Sequence, residues 1–217
     1  MAAVKDPREA LAVWPIMASG RALYSLIMLV VVALIVQIGT ARWFSPEPAE
    51  RLGQLLADAQ KRAADPVLAR QAADVLYQPL GVWTRLDAVV RRQQSDGSLT
   101  PAQRVLHPWI LAYLYAVQLI GTRLAALLAC FELLLVLVLV AGIDGLVQRA
   151  IRVEEAGRES ATKFNLAKAM RKVGLPLGCL LYVAAPFTVD PGWIMGPLMV
   201  VVVGSVWGQA SWMRKYL

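Results

Sequence analysis

Long uncharged runs alternate with short charged segments along this chain. Residues 22–41, ALYSLIMLVVVALIVQIGTA, lie between Arg21 and Arg42 without a charge. Twenty helical residues rise about 30 Å, the thickness of a bilayer's hydrocarbon core. Trp14 and Trp43 flank the run as interfacial aromatics. The pattern predicts a first transmembrane helix at 22–41, after an N-terminal segment 1–21. Residues 42–107 contain no such run and read as short amphipathic helices. One starts with Ser45 as N-cap and Pro46 at the first helical position, and places Leu52, Leu55, Leu56 and Ala59 on one face. Asp65-Pro66 is a second start signal, and Trp83, Leu86, Val89 and Val90 form a third apolar stripe. These faces are too thin for an independent core, so the region packs on itself, on the next helix or on a partner.

Thr100-Pro101-Ala102-Gln103 is a capping box. Two uncharged runs follow it, separated by Arg123 alone, and Gly121-Thr122-Arg123 leaves no room for the turn of a hairpin. One helix is therefore expected from about Pro101 to about Ala150. Within it, 108–148 forms a long helix whose second half, 124–148, crosses the membrane, while the half bearing Trp109, Tyr113 and Tyr115 stands outside. A basic segment, 149–172, carries seven Lys/Arg against three Glu. The uncharged runs 173–189 and 191–213 meet at the turn sequence Val189-Asp190-Pro191-Gly192 and predict a transmembrane hairpin, followed by the tail 214–217. The fold class expected is all-α: four transmembrane helices, a helical periplasmic region, and one long helix running from periplasm through the membrane.

Composition and charge agree with a membrane protein. The chain of 217 residues is 58% hydrophobic, above the 45–50% or so of soluble domains. The net charge of +7 is concentrated in the basic segment, which the positive-inside rule places in the cytoplasm. Both termini then lie in the cytoplasm, and the first apolar run is too long for a cleavable leader. Cys130 and Cys179 sit in apolar runs without a Cys-x-x-Cys spacing. His107 is the sole histidine and has no metal-ligand partner at helical spacing; it reads as an interfacial or packing residue. There is no phosphate-binding loop and no nucleophile elbow. No catalytic residue, cofactor or metal is expected.

The polar groups inside apolar runs are Gln37, Glu132 and Asp144. Carboxylates at membrane depth rarely face lipid. Glu132 is open to three readings: a proton or cation site, a contact with another subunit, or a protonated acid bonded to a neighbour, with Gln37 the internal candidate. Asp144, in Gly142-Ile143-Asp144-Gly145, can bond Gln148 or pair with Arg149 or Arg152, and its glycines permit close helix approach. In the basic segment, Arg149, Arg152, Arg158, Lys163, Lys168, Arg171 and Lys172 suit anionic lipid or docking of a cytoplasmic partner. Direct DNA contact is disfavoured, since the segment has one aromatic, Phe164, and no folded basic module.

Several stretches carry a family likeness: Trp43-Phe44-Ser45-Pro46-Glu47, Asp144-Gly145-Leu146-Val147-Gln148-Arg149, Gly157-Arg158-Glu159-Ser160 and the ending Arg214-Lys215-Tyr216-Leu217. In this order they resemble a family of inner-membrane proteins of unknown function carried by integrating conjugative elements and some plasmids. The resemblance implies a gene close to that of the coupling ATPase, the membrane motor that delivers DNA to the type IV secretion channel. It implies a non-catalytic accessory subunit of conjugative transfer. The partners expected are membrane lipids, the coupling ATPase or other conjugation membrane subunits, and a second copy of the chain. The alternatives are an exclusion protein acting in the recipient and an ion or solute carrier using Glu132.

Overall fold

A computed structural model describes residues 7–96, 101–155 and 161–212. Thr100, the Gly157–Ser160 motif with Arg158, and the C-terminal Arg214–Leu217 lie outside the described residues. The elements are helices throughout: α1 (Pro7–Phe44), α2 (Pro48–Lys61), α3 (Pro66–Tyr77), a π-helical turn (Gln78–Val82), α4 (Leu86–Asp96), α5 (Pro101–Glu154), α6 (Ala161–Ala184) and α7 (Pro191–Ser211).

The long rod is present. α5 runs 54 residues without a break, about 81 Å at the usual helical rise. Its first half is covered by α2 and α3, and its second half lies along α7. The Leu52/Leu56 stripe of α2 closes on Ala112, Ala116 and Leu119 of α5 and on Ala41 of α1. The amphipathic region thus completes its core on the next helix. Asp65 caps α3 as its sequence requires, accepting from the amides of Val67 (2.8 Å) and Leu68 (3.1 Å).

α1 runs unbroken from Pro7 through Pro15 and Gly20 to Phe44, so the run 22–41 is part of a longer helix. Three local expectations are corrected. α2 begins at Pro48 with Glu47 as N-cap; Ser45 instead closes a local turn, its hydroxyl accepting from the Glu47 amide at 3.2 Å. The third stripe is split by the π-helical turn and by Arg85 at φ 59°, so Val90 is buried while Trp83 and Val89 face outward. The run 173–189 is not one helix: α6 ends at Ala184, two residues before Pro186.

Among the described residues three helices are long and apolar enough to cross a membrane, Leu23–Phe44, Val105–Glu154 and Pro191–Ser211. α6 carries cations to Lys172, and its uncharged part, 173–184, rises only about 18 Å. The exposed surfaces of α1, of the second half of α5 and of α7 are apolar; Leu26, Val31, Val136, Leu139 and Val200 all face outward. Such a belt has no place in water and marks a membrane protein.

The turn between α3 and α4 holds a small polar cluster. The Tyr77 hydroxyl donates to Asp87 Oδ1 at 2.7 Å, and Arg91 Nε lies 2.9 Å from Asp87 Oδ2. The phenol's hydrogen bond, helped by Arg91 and opposed by burial, holds the Asp87 carboxyl below the usual range. Burial, and then Asp87, push the Tyr77 phenol from 10.0 up to about 12. The Asp87 contribution is therefore present above the ordinary carboxylate pKa and is lost as the pH falls through its lowered value. The Tyr77 contribution is complete below pH 10 and is lost as the pH rises towards 12. Replacing Tyr77 by Phe should cost about 1 kcal/mol at neutral pH. The deficit should shrink in acid, and the alkaline loss shown by the native protein should be reduced. Detergent unfolding followed across the pH range checks both.

Candidate functional site: two polar joints on the long helix

The first joint lies at the midpoint of α5. The C-terminal end of α6 offers carbonyls that no further helical turn can satisfy. Arg123, only 4% exposed, reaches them. Its Nη1 donates to the carbonyls of Val183 (2.9 Å) and Ala185 (2.6 Å), with Tyr182 at 3.4 Å, and its Nη2 donates to that of Phe187 (3.0 Å). Gln37 of α1, 1% exposed, donates from Nε2 to the same Val183 carbonyl at 2.7 Å. A cation at a helix C-terminus also meets the negative end of the helix dipole. No carboxylate is needed, and none pairs with Arg123 among the described residues. Around the joint, Val30 and Ala33 of α1, Ile120 of α5, Tyr182–Ala184 of α6 and Met195 of α7 form one core.

The second joint lies 21 residues on, about 32 Å along α5. Asp144 Oδ2 accepts from the indole of Trp207 on α7 at 2.7 Å. Gly145 makes this approach possible: a Cβ there would stand 2.7 Å from Ala210 Cβ and 2.9 Å from the Trp207 carbonyl. About two turns further, Arg152 Nη1 donates to the Ser211 carbonyl at 2.8 Å and its guanidinium lies 3.7 Å over the Trp212 ring. Lys163 of α6 stands at 4.2 Å from the same ring. Trp212, the C-cap of α7, is thus held by cations from two other helices.

The expected site residues divide accordingly. Gln37 makes a buried polar contact, with the α6 carbonyl end and not with Glu132. Glu132 is exposed on α5, with no hydrogen bond or ion pair among the described residues. Asp144 bonds Trp207, a partner from another helix, in place of Gln148, Arg149 or Arg152. Of the glycines flanking it, Gly145 is a contact and Gly142 is open, with no atom within 4 Å of a Cβ there. Arg152 and Lys163 are engaged with α7; Arg149 is half-buried. Lys168, Arg171 and Lys172 are exposed along α6. Arg158 is outside the described residues.

Arg123 is the residue that sequence reasoning passed over. A lone charge between apolar runs reads as a membrane boundary. The signal available was that the helix runs on through it, which leaves a cation needing acceptors. His107 lines a cleft of about 660 Å³ with Arg42, Glu47, Glu50, Trp109 and Tyr115, and its Nε2 is enclosed without a partner among the described residues.

The arrangement binds helix to helix at two levels; its polar groups are spent on carbonyls, an indole and an aromatic face. Comparison with curated proteins and with solved structures gave no match. A family model for IncC plasmid conjugative DNA transfer proteins matches residues 55–214, a stretch that includes Arg123, Glu132, Asp144 and the basic segment. With most of its length so matched, the chain belongs to the DtrJ-like family of conjugative DNA transfer proteins.

Proposed function

We propose that this chain is a non-catalytic inner-membrane subunit of conjugative DNA transfer that assembles with, or positions, the coupling ATPase. In this reading the hydrocarbon core extends from the Arg123 level to the Asp144 level. The helices packed on 105–121 stand in the periplasm, and both termini lie in the cytoplasm. α6 crosses beside α7 as the third of four spans, with Arg171 and Lys172 snorkelling to the inner surface.

The observation that carries the reading is the exposed row Lys168, Arg171 and Lys172 on a helix whose start is fastened through Lys163 to Trp212. A row of cations on a braced element suits an acidic protein surface and loses little by ordering on contact. The chain then serves as a mount that offers those charges at the membrane surface.

Replacing Lys168, Arg171 and Lys172 together by Gln should lower both co-purification of the coupling ATPase and donor transfer by about tenfold or more, the loss of roughly 1.4 kcal/mol of docking energy. Stability in detergent should be unchanged. Unchanged co-purification and transfer would remove the docking role. A fall in transfer on expression in the recipient alone would identify an exclusion protein instead.

A further inference from the structure

The second half of α5 shows a repeat that neither joint uses. Ala129, Glu132, Val136, Leu139, Ile143, Leu146 and Ala150 are spaced alternately three and four apart, and all seven are exposed. At about 100° per residue they form one stripe, and Glu132 lies roughly 140° round the helix from Gly145, which faces α7. The stripe follows a heptad. Val136 and Ile143 occupy one of its two core positions, while Leu139 and Leu146 occupy the other. β-Branched residues at the first and leucine at the second is the combination that favours two parallel strands. The small residues Ala129 and Ala150 close both ends, where backbones can come near.

We propose that two copies of this chain pair along this stripe as a parallel dimer, with Glu132 hydrogen-bonded to Glu132 across the two-fold axis. All copies of a multi-spanning protein share one orientation, so a seam along α5 brings each residue opposite its own copy. Glu132 is about 13 Å from Arg123 along the axis, near the middle of the slab proposed above. There a carboxyl facing lipid is costly, and the stripe offers no cation to offset it. Two neutral carboxyls at the same depth satisfy each other, each able to donate one O–H, and no net charge is buried. One polar residue in an otherwise apolar seam also fixes its register. The pairing rests on the second half of α5 lying in lipid; it does not depend on the coupling ATPase.

The test uses the full chain in native membranes, with Cys130 and Cys179 replaced by Ala. Single cysteines are introduced by Val136→Cys, Leu139→Cys, Ile143→Cys and Leu146→Cys, and off the stripe by Leu133→Cys, Leu137→Cys and Val140→Cys. Mild oxidation should yield covalent dimers at the four stripe positions and little at the other three. An even yield, a maximum on another face, absence of dimer, or adducts with a different protein at the stripe would each overturn the proposal. In a second arm, Glu132→Leu should raise the dimer dissociation constant in mild detergent about tenfold, while Glu132→Gln, which keeps a donor and an acceptor, should hold it within about threefold. Equal dissociation constants for the native chain and Glu132→Leu would remove Glu132 from the seam. Loss of cross-links with ATPase co-purification intact would sink the dimer alone.

Discussion

Replacing Arg123 by Met is expected to lower the unfolding free energy by about 3 kcal/mol or more, since each buried acceptor left without a donor costs roughly 1–3 kcal/mol. The carbonyls of Ala185 and Phe187 lose the guanidinium, and nothing nearby replaces it. Val183 keeps its bond from Gln37, so the loss falls short of the full sum. Removing the cation also returns its own burial cost, which limits the effect further. Lysine at this position retains the charge but offers a point donor in place of a fork. It should recover part of the loss, reaching one or two carbonyls. Unfolding by SDS from mild detergent micelles, followed by tryptophan fluorescence, measures all three proteins. A loss below about 1 kcal/mol for Arg123→Met would mean that the α6 end does not depend on these hydrogen bonds.

The second large effect is expected at Gly121. A Cβ there would lie 2.5 Å from Ala73 Cα, 2.8 Å from the Ala72 carbonyl oxygen and 2.9 Å from the Ala73 amide nitrogen. These are backbone atoms of α3, so no side-chain rotation relieves the clash; the helices must part. Gly121→Ala should cost about 2–3 kcal/mol and Gly121→Val more, in the upper range of overpacking. Gly39 provides the control: nothing lies within 4 Å of a Cβ there, and Gly39→Ala in α1 should be neutral or stabilising by up to about 1 kcal/mol. Because α3 lies on the first half of α5, Gly121→Ala should expose the 66–96 region to protease before the remainder unfolds. A stability equal to that of the native chain would show that α3 and α5 do not approach so closely.

Much of the architecture was legible. The Leu52/Leu56 stripe predicted its own burial because a period of 3.6 places those residues on one side. The single rod followed from the shortage of turn residues around Arg123. What hydropathy could not supply was rotation about each helix axis. Counting along the runs matched Gln37 and Glu132 only roughly in depth; the structure sets Gln37 on the Val183 carbonyl, level with Arg123 and about 13 Å from the level of Glu132, which faces outward. Asp144 was read against its sequence neighbours, while its partner Trp207 is 63 residues away. The length of α6 was overread because the uncharged run 173–189 passes through Pro186, where apolar composition continues and helix does not. The family likeness proposed from the Asp144–Arg149 and Gly157–Ser160 motifs agrees with the match over 55–214.

The clasp at Arg123 also sets an order of events during synthesis. Its acceptors at 182–187 leave the ribosome some sixty residues after the guanidinium does. Until they arrive, α1 and α5 hold a cation and an amide that point into an unfinished interior. A product ending before α6 would leave the Arg123 guanidinium without the carbonyls that satisfy it, a donor whose burial nothing offsets. The same contact that fastens the finished molecule thus distinguishes a whole copy from a fragment.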